Sequence, residues 1–227
     1  MLRSAILALA LLVAGCSKEA PAPPGKPISE PSTPNLLVNG DLEVDGLVGW
    51  EYRPNRHDDV VAWSDAVAEA AAFRTGTLSA KLGPIDSKGG ESSQCLVQTV
   101  DVTTSRIWID GWVRFEGKKR AGDGRVRAGI QVQYHIGQDE VLGNLLGVIG
   151  PPGGEFPPDT GMLALTLAKE EKSSWCQLPY HTTEELAVKG LTLSKAPTQV
   201  TLLLWLQVEG AAEGKAWFDD LVVKEMK

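Results

Sequence analysis

Three long stretches of the chain alternate apolar and polar residues with a period of two, the pattern of strands with one face buried and the other turned outward. In residues 106–115, Ile107, Ile109, Gly111 and Val113 alternate with Trp108, Asp110, Trp112 and Arg114. In residues 126–136, Val126, Ala128, Ile130, Val132 and Tyr134 alternate with Arg127, Gly129, Gln131, Gln133 and His135. In residues 200–208, Val200, Leu202, Leu204, Leu206 and Val208 alternate with Thr201, Leu203, Trp205 and Gln207. Shorter strands are predicted at 78–82, 96–102, 142–149 and 175–181, and Gly122-Asp123-Gly124 reads as a hairpin turn. Many short strands between Gly, Pro and Asp turns predict an all-β fold, an antiparallel β-sandwich or jelly roll.

The two ends of this region carry matching acidic patterns. Residues 35–50 open on the apolar run Leu36 to Val38, turn at Asn39-Gly40, present the acidic pair Asp41 and Glu43, and are predicted as the first strand. Residues 216–223 are predicted as the last strand and carry Asp219 and Asp220. Laid side by side, such strands bring Glu43 and Asp219 close enough to share a cation. Residues 65–73 are Ala-rich and fit a short helix or an irregular edge. Residues 150–160, with four prolines and three glycines, read as a loop or lid, and 184–195 show no clear period.

The first residues do not belong to that fold. Arg3, the apolar run Ala5 to Leu12 and the small residues Val13-Ala14-Gly15 leading to Cys16 resemble a bacterial lipoprotein signal, and the run is too short to span a bilayer. The resemblance implies cleavage before Cys16, lipidation of that cysteine and stable membrane attachment through several acyl chains. Ser17 after the cysteine implies the outer membrane. Residues 17–34 hold six prolines and almost nothing large and apolar, the composition of an extended tether. The layout is a signal peptide at 1–15, a lipidated tether at 16–34 and a folded domain at 35–227.

Charge and cysteines refine this picture. A formal net charge of −7 disfavours nucleic acid and anionic lipid surfaces as ligands. With Cys16 committed to lipid, Cys95 and Cys176 remain as an even pair in an oxidising compartment, and a disulfide between them is predicted, the alternative being two separate thiols.

Catalytic chemistry finds no foothold. His57, His135 and His181 fit no metal-ligand spacing, and neither a Gly-x-Ser-x-Gly elbow nor a phosphate-binding glycine loop is present. The chain is therefore expected to be no enzyme.

Residues 35–50, the Gly76-Thr-Leu-Ser-Ala-Lys-Leu82 segment, Gly111-Trp-Val-Arg114, Trp175 and the closing residues 216–223, in that order, resemble carbohydrate-binding modules of the family 4, 9 and 22 type, which share the galactose-binding-like jelly roll. Insertions near 150–160 and 179–195 depart from that pattern. The resemblance implies a structural calcium ion held by Glu43 and Asp219, whose hard oxygens suit it, the alternative being turn and edge residues without an ion. It also implies a polysaccharide ligand, recognised by flat aromatic faces and planar amides. The residues that supply these are Trp108 and Trp112 on one strand, Arg127, Gln131 and Gln133 on another, and Trp205 on a third; the alternative for the tryptophans is packing. Trp50, Trp175 and Trp217 match core positions, and Trp63 is unassigned. The expected function is a non-catalytic, lipid-anchored glycan-binding protein of the bacterial cell envelope. The alternative is a structural or protein-interaction module of an envelope assembly.

Overall fold

The computed structural model describes residues 29–138, 140–150 and 161–227. The chain divides into a segment Met1–Glu30, of which only Ser29 and Glu30 are described, and a compact unit Pro31–Lys227. Cys16, the signal region, the tether up to residue 28 and the loop residues 151–160 lie outside the described residues.

After a 3-10 turn at Asp45–Leu47, the strands and the α-helix in chain order are β1 (Glu51–Asn55), β2 (Val60–Trp63), β3 (Val67–Glu69), β4 (Ser79–Ser87), β5 (Glu91–Asp101), β6 (Ile107–Lys119), β7 (Arg125–Ile136), β8 (Glu140–Ile149), β9 (Met162–Ala168), β10 (Cys176–Gln177), α1 (Thr183–Val188), β11 (Gln199–Glu209) and β12 (Ala212–Glu225). They form two sheets. The first has the order β1-β5-β11-β7-β8-β9, and the second β10-β6-β12-β4-β2, with β3 also paired to β4. All pairs are antiparallel except β8–β9. The fold is an all-β sandwich.

Alternation explains the core directly. Val200, Leu202, Leu204, Leu206 and Val208 of β11 are fully buried, and Ile130, Val132 and Tyr134 of β7 face Ile107, Ile109, Val113 and Phe115 of β6 and Phe218 and Val223 of β12 across the interior. Each strand's other phase points away from the core. Val97, Trp108, Leu146, Val148 and Trp217 are buried yet belong to none of this interior packing, because they stand on the outer faces.

The opening stretch does lie against the last strand, but it is not a strand. Leu36 N–H donates to Val223 O (2.8 Å), the Asn35 side chain bonds both Leu221 O (2.8 Å) and Val223 N–H (3.0 Å), and the Gln98 amide holds both backbone groups of Val38. Asn39, Leu42 and Leu47 adopt left-handed backbone conformations, which bend the chain out of any ladder. Residues 65–73 follow the edge alternative, containing the short strand β3 and no helix, whereas 175–181 keep only the two-residue β10. Inside the ambiguous 184–195 stretch, α1 starts from a capping box in which Glu185 N–H donates to Thr182 Oγ1 (3.1 Å) and Thr182 N–H to Glu185 Oε2 (3.0 Å). Gly122–Gly124 is not a hairpin turn, because β6 and β7 belong to different sheets; the turn is an arch between them.

The predicted disulfide is absent: Cys95 and Cys176 are free. The sandwich keeps them apart. Cys95 pairs with Arg53 and Trp205 in the first sheet, in the outward phase, whereas Cys176 pairs with the fully buried Val113 at the edge of the second sheet and packs against the core. A reductant is therefore expected to leave the melting temperature unchanged. A drop of several degrees on adding dithiothreitol would show a crosslink that this fold does not contain.

Candidate functional site

The outer face of the first sheet is a ruled surface whose rows follow from strand register. One row reads Arg53, Cys95, Trp205, Gly129, Val148; the next reads Glu51, Val97, Leu203, Gln131, Leu146. Beyond it come Thr99, Thr201, Gln133, Asn144 and then Asp101, Gln199, His135, Val141; on the other side lie Asn55, Ser93, Gln207 and Arg127. Trp205 is half-buried, and its ring reaches across β7: a Cβ added at Gly129 would stand 3.0 Å from Trp205 Cζ2 and 2.1 Å from Gly147 O. Glycine at 129 thus lets the indole lie over the neighbouring strand.

Gln131 and Gln207 stand one position from that ring in the same phase, and Gln133 and Asn144 lie a further row along the face. Gln131 donates to Asn144 Oδ1 (3.2 Å) and Gln207 to Glu91 Oε1 (2.7 Å), while the Gln133 side chain makes no hydrogen bond among the described residues. Trp205 Nε1 and both ring nitrogens of His135 are buried without partners among the described residues. Burial holds the His135 imidazole below its ordinary pKa, in the neutral form that offers one donor and one acceptor. The charges are mostly matched: Arg53 forks onto Glu51 (2.9 and 2.7 Å), and Arg127 pairs with Glu209. Burial pushes the Cys95 thiol up to about 12, so it is protonated and unreactive at neutral pH. The face offers one aromatic plate and a row of amides, beside an apolar band from Val97 to Leu146 and Val148 that is itself buried.

The sequence-predicted site is divided by the fold. Gln131, Gln133, Arg127 and Trp205 share this face; Trp108 and Trp112 stand on the outer face of the second sheet. Trp108 is 5% exposed beneath His181, whose ring stacks on it at 4.9 Å with planes 17° apart. Glu185, the third helical residue in the α1 capping box, fixes that lid by accepting the main-chain N–H of His181 (2.8 Å). Gln177 donates to Asp110 (2.8 Å) alongside. Trp112 carries the Arg74 guanidinium 3.8 Å above its ring, and Trp217 carries Arg114 and Lys215 at 5.0 and 5.1 Å. Trp50 and Trp63 pack on the core, whereas Trp175 does not. Asn144, Gln207 and Arg53 enter the candidate site only through register. Period-two spacing already put Gln207 in the same phase as Trp205, but nothing in the sequence aligned Asn144 with Gln133.

The seam brings Glu43 and Asp219 to one loop, residues 74–78. Glu43 accepts the N–H (2.9 and 3.0 Å) and hydroxyl (2.7 Å) of Thr77 and the N–H of Leu78 (3.2 Å). Asp219, fully buried, accepts from the N–H groups of Arg74 (2.7 Å), Thr75 (3.2 Å) and Asp220 (2.8 Å). Every one of these carboxylate oxygens faces an N–H or O–H donor, and among the described residues no three His, Cys, Asp or Glu side chains converge as metal ligands. This donor-filled arrangement does not fit a calcium ion, which requires several converging oxygens. The Thr77 hydroxyl, then the two N–H groups, hold Glu43 below the usual carboxylate range, while burial raises Asp219.

The sequence matches no protein-family model and no curated protein. Among solved structures, the chain is similar to the enzymatically active domain of tailspike protein 4 of bacteriophage CBA120 (11% identity, TM-score 0.49, covering 85% of this chain and 21% of that one). It is also similar to the carbohydrate-binding module TmCBM61, solved with β-1,4-galactotriose (15%, TM-score 0.42, 86% and 100%). A third is the xylan-binding CBM22-1 domain of Xyn10C from Paenibacillus barcinonensis (14%, TM-score 0.40, 88% and 100%).

The lowered Glu43 pKa fixes a pH dependence. A carboxyl whose pKa is lower folded than unfolded contributes stability above its unfolded value and loses it as pH falls through the folded value. Glu43→Gln is therefore expected to melt below wild type at neutral pH, with the gap closing as the medium is acidified below the ordinary glutamate range. A gap that stays constant across the series would contradict the assigned hydrogen bonds.

Proposed function

We propose that this chain is a non-catalytic glycan-binding protein, attached by lipid at Cys16 to a bacterial cell envelope, with its ligand lying on the outer face of the first sheet. The observation that carries the reading is Trp205: a half-buried indole laid over Gly129, flanked by Gln131 and Gln207, with Gln133 and Asn144 further along the same face. Pyranose rings present C–H faces that pack on an aromatic plate, and their hydroxyls match side-chain amides that both donate and accept. The paired arginines leave little unopposed positive charge on this face, which favours an uncharged polysaccharide. The anchor and the envelope location rest on the lipoprotein-like signal and the Pro-rich tether.

The test is binding of wild type and Trp205→Ala to a panel of neutral polysaccharides. A buried aromatic anchor contributes about 2 kcal/mol or more, so at least one polysaccharide is expected to bind wild type, with the variant weaker by roughly 30-fold. Trp108→Ala, altered beneath His181, is expected to bind as wild type while melting lower. Absence of binding to every polysaccharide, or equal binding by Trp205→Ala, removes this reading and leaves the protein-interaction alternative.

A further inference from the structure

We infer that Arg74 is the cation of the seam: its guanidinium, held between the Trp112 ring and the Asp220 carboxylate, does internally what a divalent metal would otherwise do.

The problem it solves is local. Strand β12 breaks its register with β6 between Asp219 and Val222, and Asp220 sits there in a left-handed conformation. Two adjacent carboxyl groups therefore meet at a bulge, one of them fully buried. Like charges this close oppose each other, and desolvation adds to the cost. Burial, followed by a smaller contribution from Asp220, works against the charged form of Asp219.

Arg74 answers with three groups. Its main-chain N–H donates to Asp219 Oδ2 (2.7 Å), its Nη1 pairs with Asp220, and its guanidinium carbon lies 3.8 Å from the Trp112 ring centroid. Thr75 completes the set, giving its N–H to Asp219 (3.2 Å) and its hydroxyl to Asp220. The Arg74 and Asp220 side chains are 32% and 23% exposed, so this pair is screened less than one in open water. A planar guanidinium uses its face for the indole and its edge for the carboxylate at the same time, which a lysine ammonium cannot do.

Two consequences follow. The loop carrying Arg74 to Leu78 is pinned at one end to the β12 bulge and at the other to Glu43, with all ties supplied by the protein. The Trp112 face is occupied by Arg74, which accounts for a surface tryptophan outside the glycan face.

The experiment is thermal unfolding of the full chain in EDTA and in millimolar calcium chloride, for wild type, Arg74→Ala and Arg74→Lys. Wild type is expected to melt at the same temperature in both media. Arg74→Ala should melt about 2–6 °C lower, and Arg74→Lys in between, since it keeps the charge and loses the stacked plane. A wild-type melting temperature that falls in EDTA or rises in calcium overturns the inference, as does an Arg74→Ala protein that melts with wild type. Should Arg74→Ala fail to fold, the position of Arg74→Lys decides: a melting temperature equal to wild type overturns the stacked role, and a lower one supports it.

Discussion

The structure depends on the unbroken pairing of β11. All eleven residues, Gln199 to Glu209, stay in register with both β5 and β7, without a bulge on either side. With a partner strand along both edges, the strand cannot slip, and a one-residue shift would exchange its buried leucines for Trp205 and Gln207. One constraint thus sets two things: the inward phase closes the core, and the outward phase places Trp205 over Gly129. The core and the candidate site are opposite sides of the same ladder.

The second sheet uses its outer face differently. The outward tryptophans of β6 and β12 are all covered by charged or aromatic partners: Trp108 by His181, Trp112 by Arg74, and Trp217 by Arg114 and Lys215. Short connections supply two of these covers. The capped helix α1 holds His181, and the loop after β3 holds Arg74. Among the described residues, no cation or ring stacks on the tryptophan of the first sheet. The contrast between a sealed face and a bordered, partly open one is what directs the functional reading to one side of the sandwich.

The period-two stretches were legible in the sequence down to the inward and outward phase of β6, β7 and β11. Alternation records which way a side chain points from its own sheet; it does not record which sheet that is. Residues of β6 and β7 follow one another through Gly122–Gly124, so they read as a hairpin, yet they lie in opposite sheets, and this separates Trp108 and Trp112 from Gln131 and Gln133. The disulfide fails for the same reason, since Cys95 and Cys176 are set by sheet and face rather than by cysteine count. Strands β1 to β3 are too short to show a period, and residues 35–50 are shaped by left-handed residues that an apolar run conceals. The seam itself was legible: the two acidic motifs do meet at one loop, although the groups that saturate them, Arg74 and Thr75 to Leu78, could be found only from the fold.

The claim that the ligand lies on the first sheet is tested most directly by following the indole N–H signals of the chain's seven tryptophans by NMR while a bound polysaccharide fragment is titrated in. The account predicts that the Trp205 signal shifts with saturation while those of Trp108, Trp112 and Trp217 stay in place. Movement of Trp108 or Trp112 with Trp205 unchanged would contradict it and place binding on the opposite face.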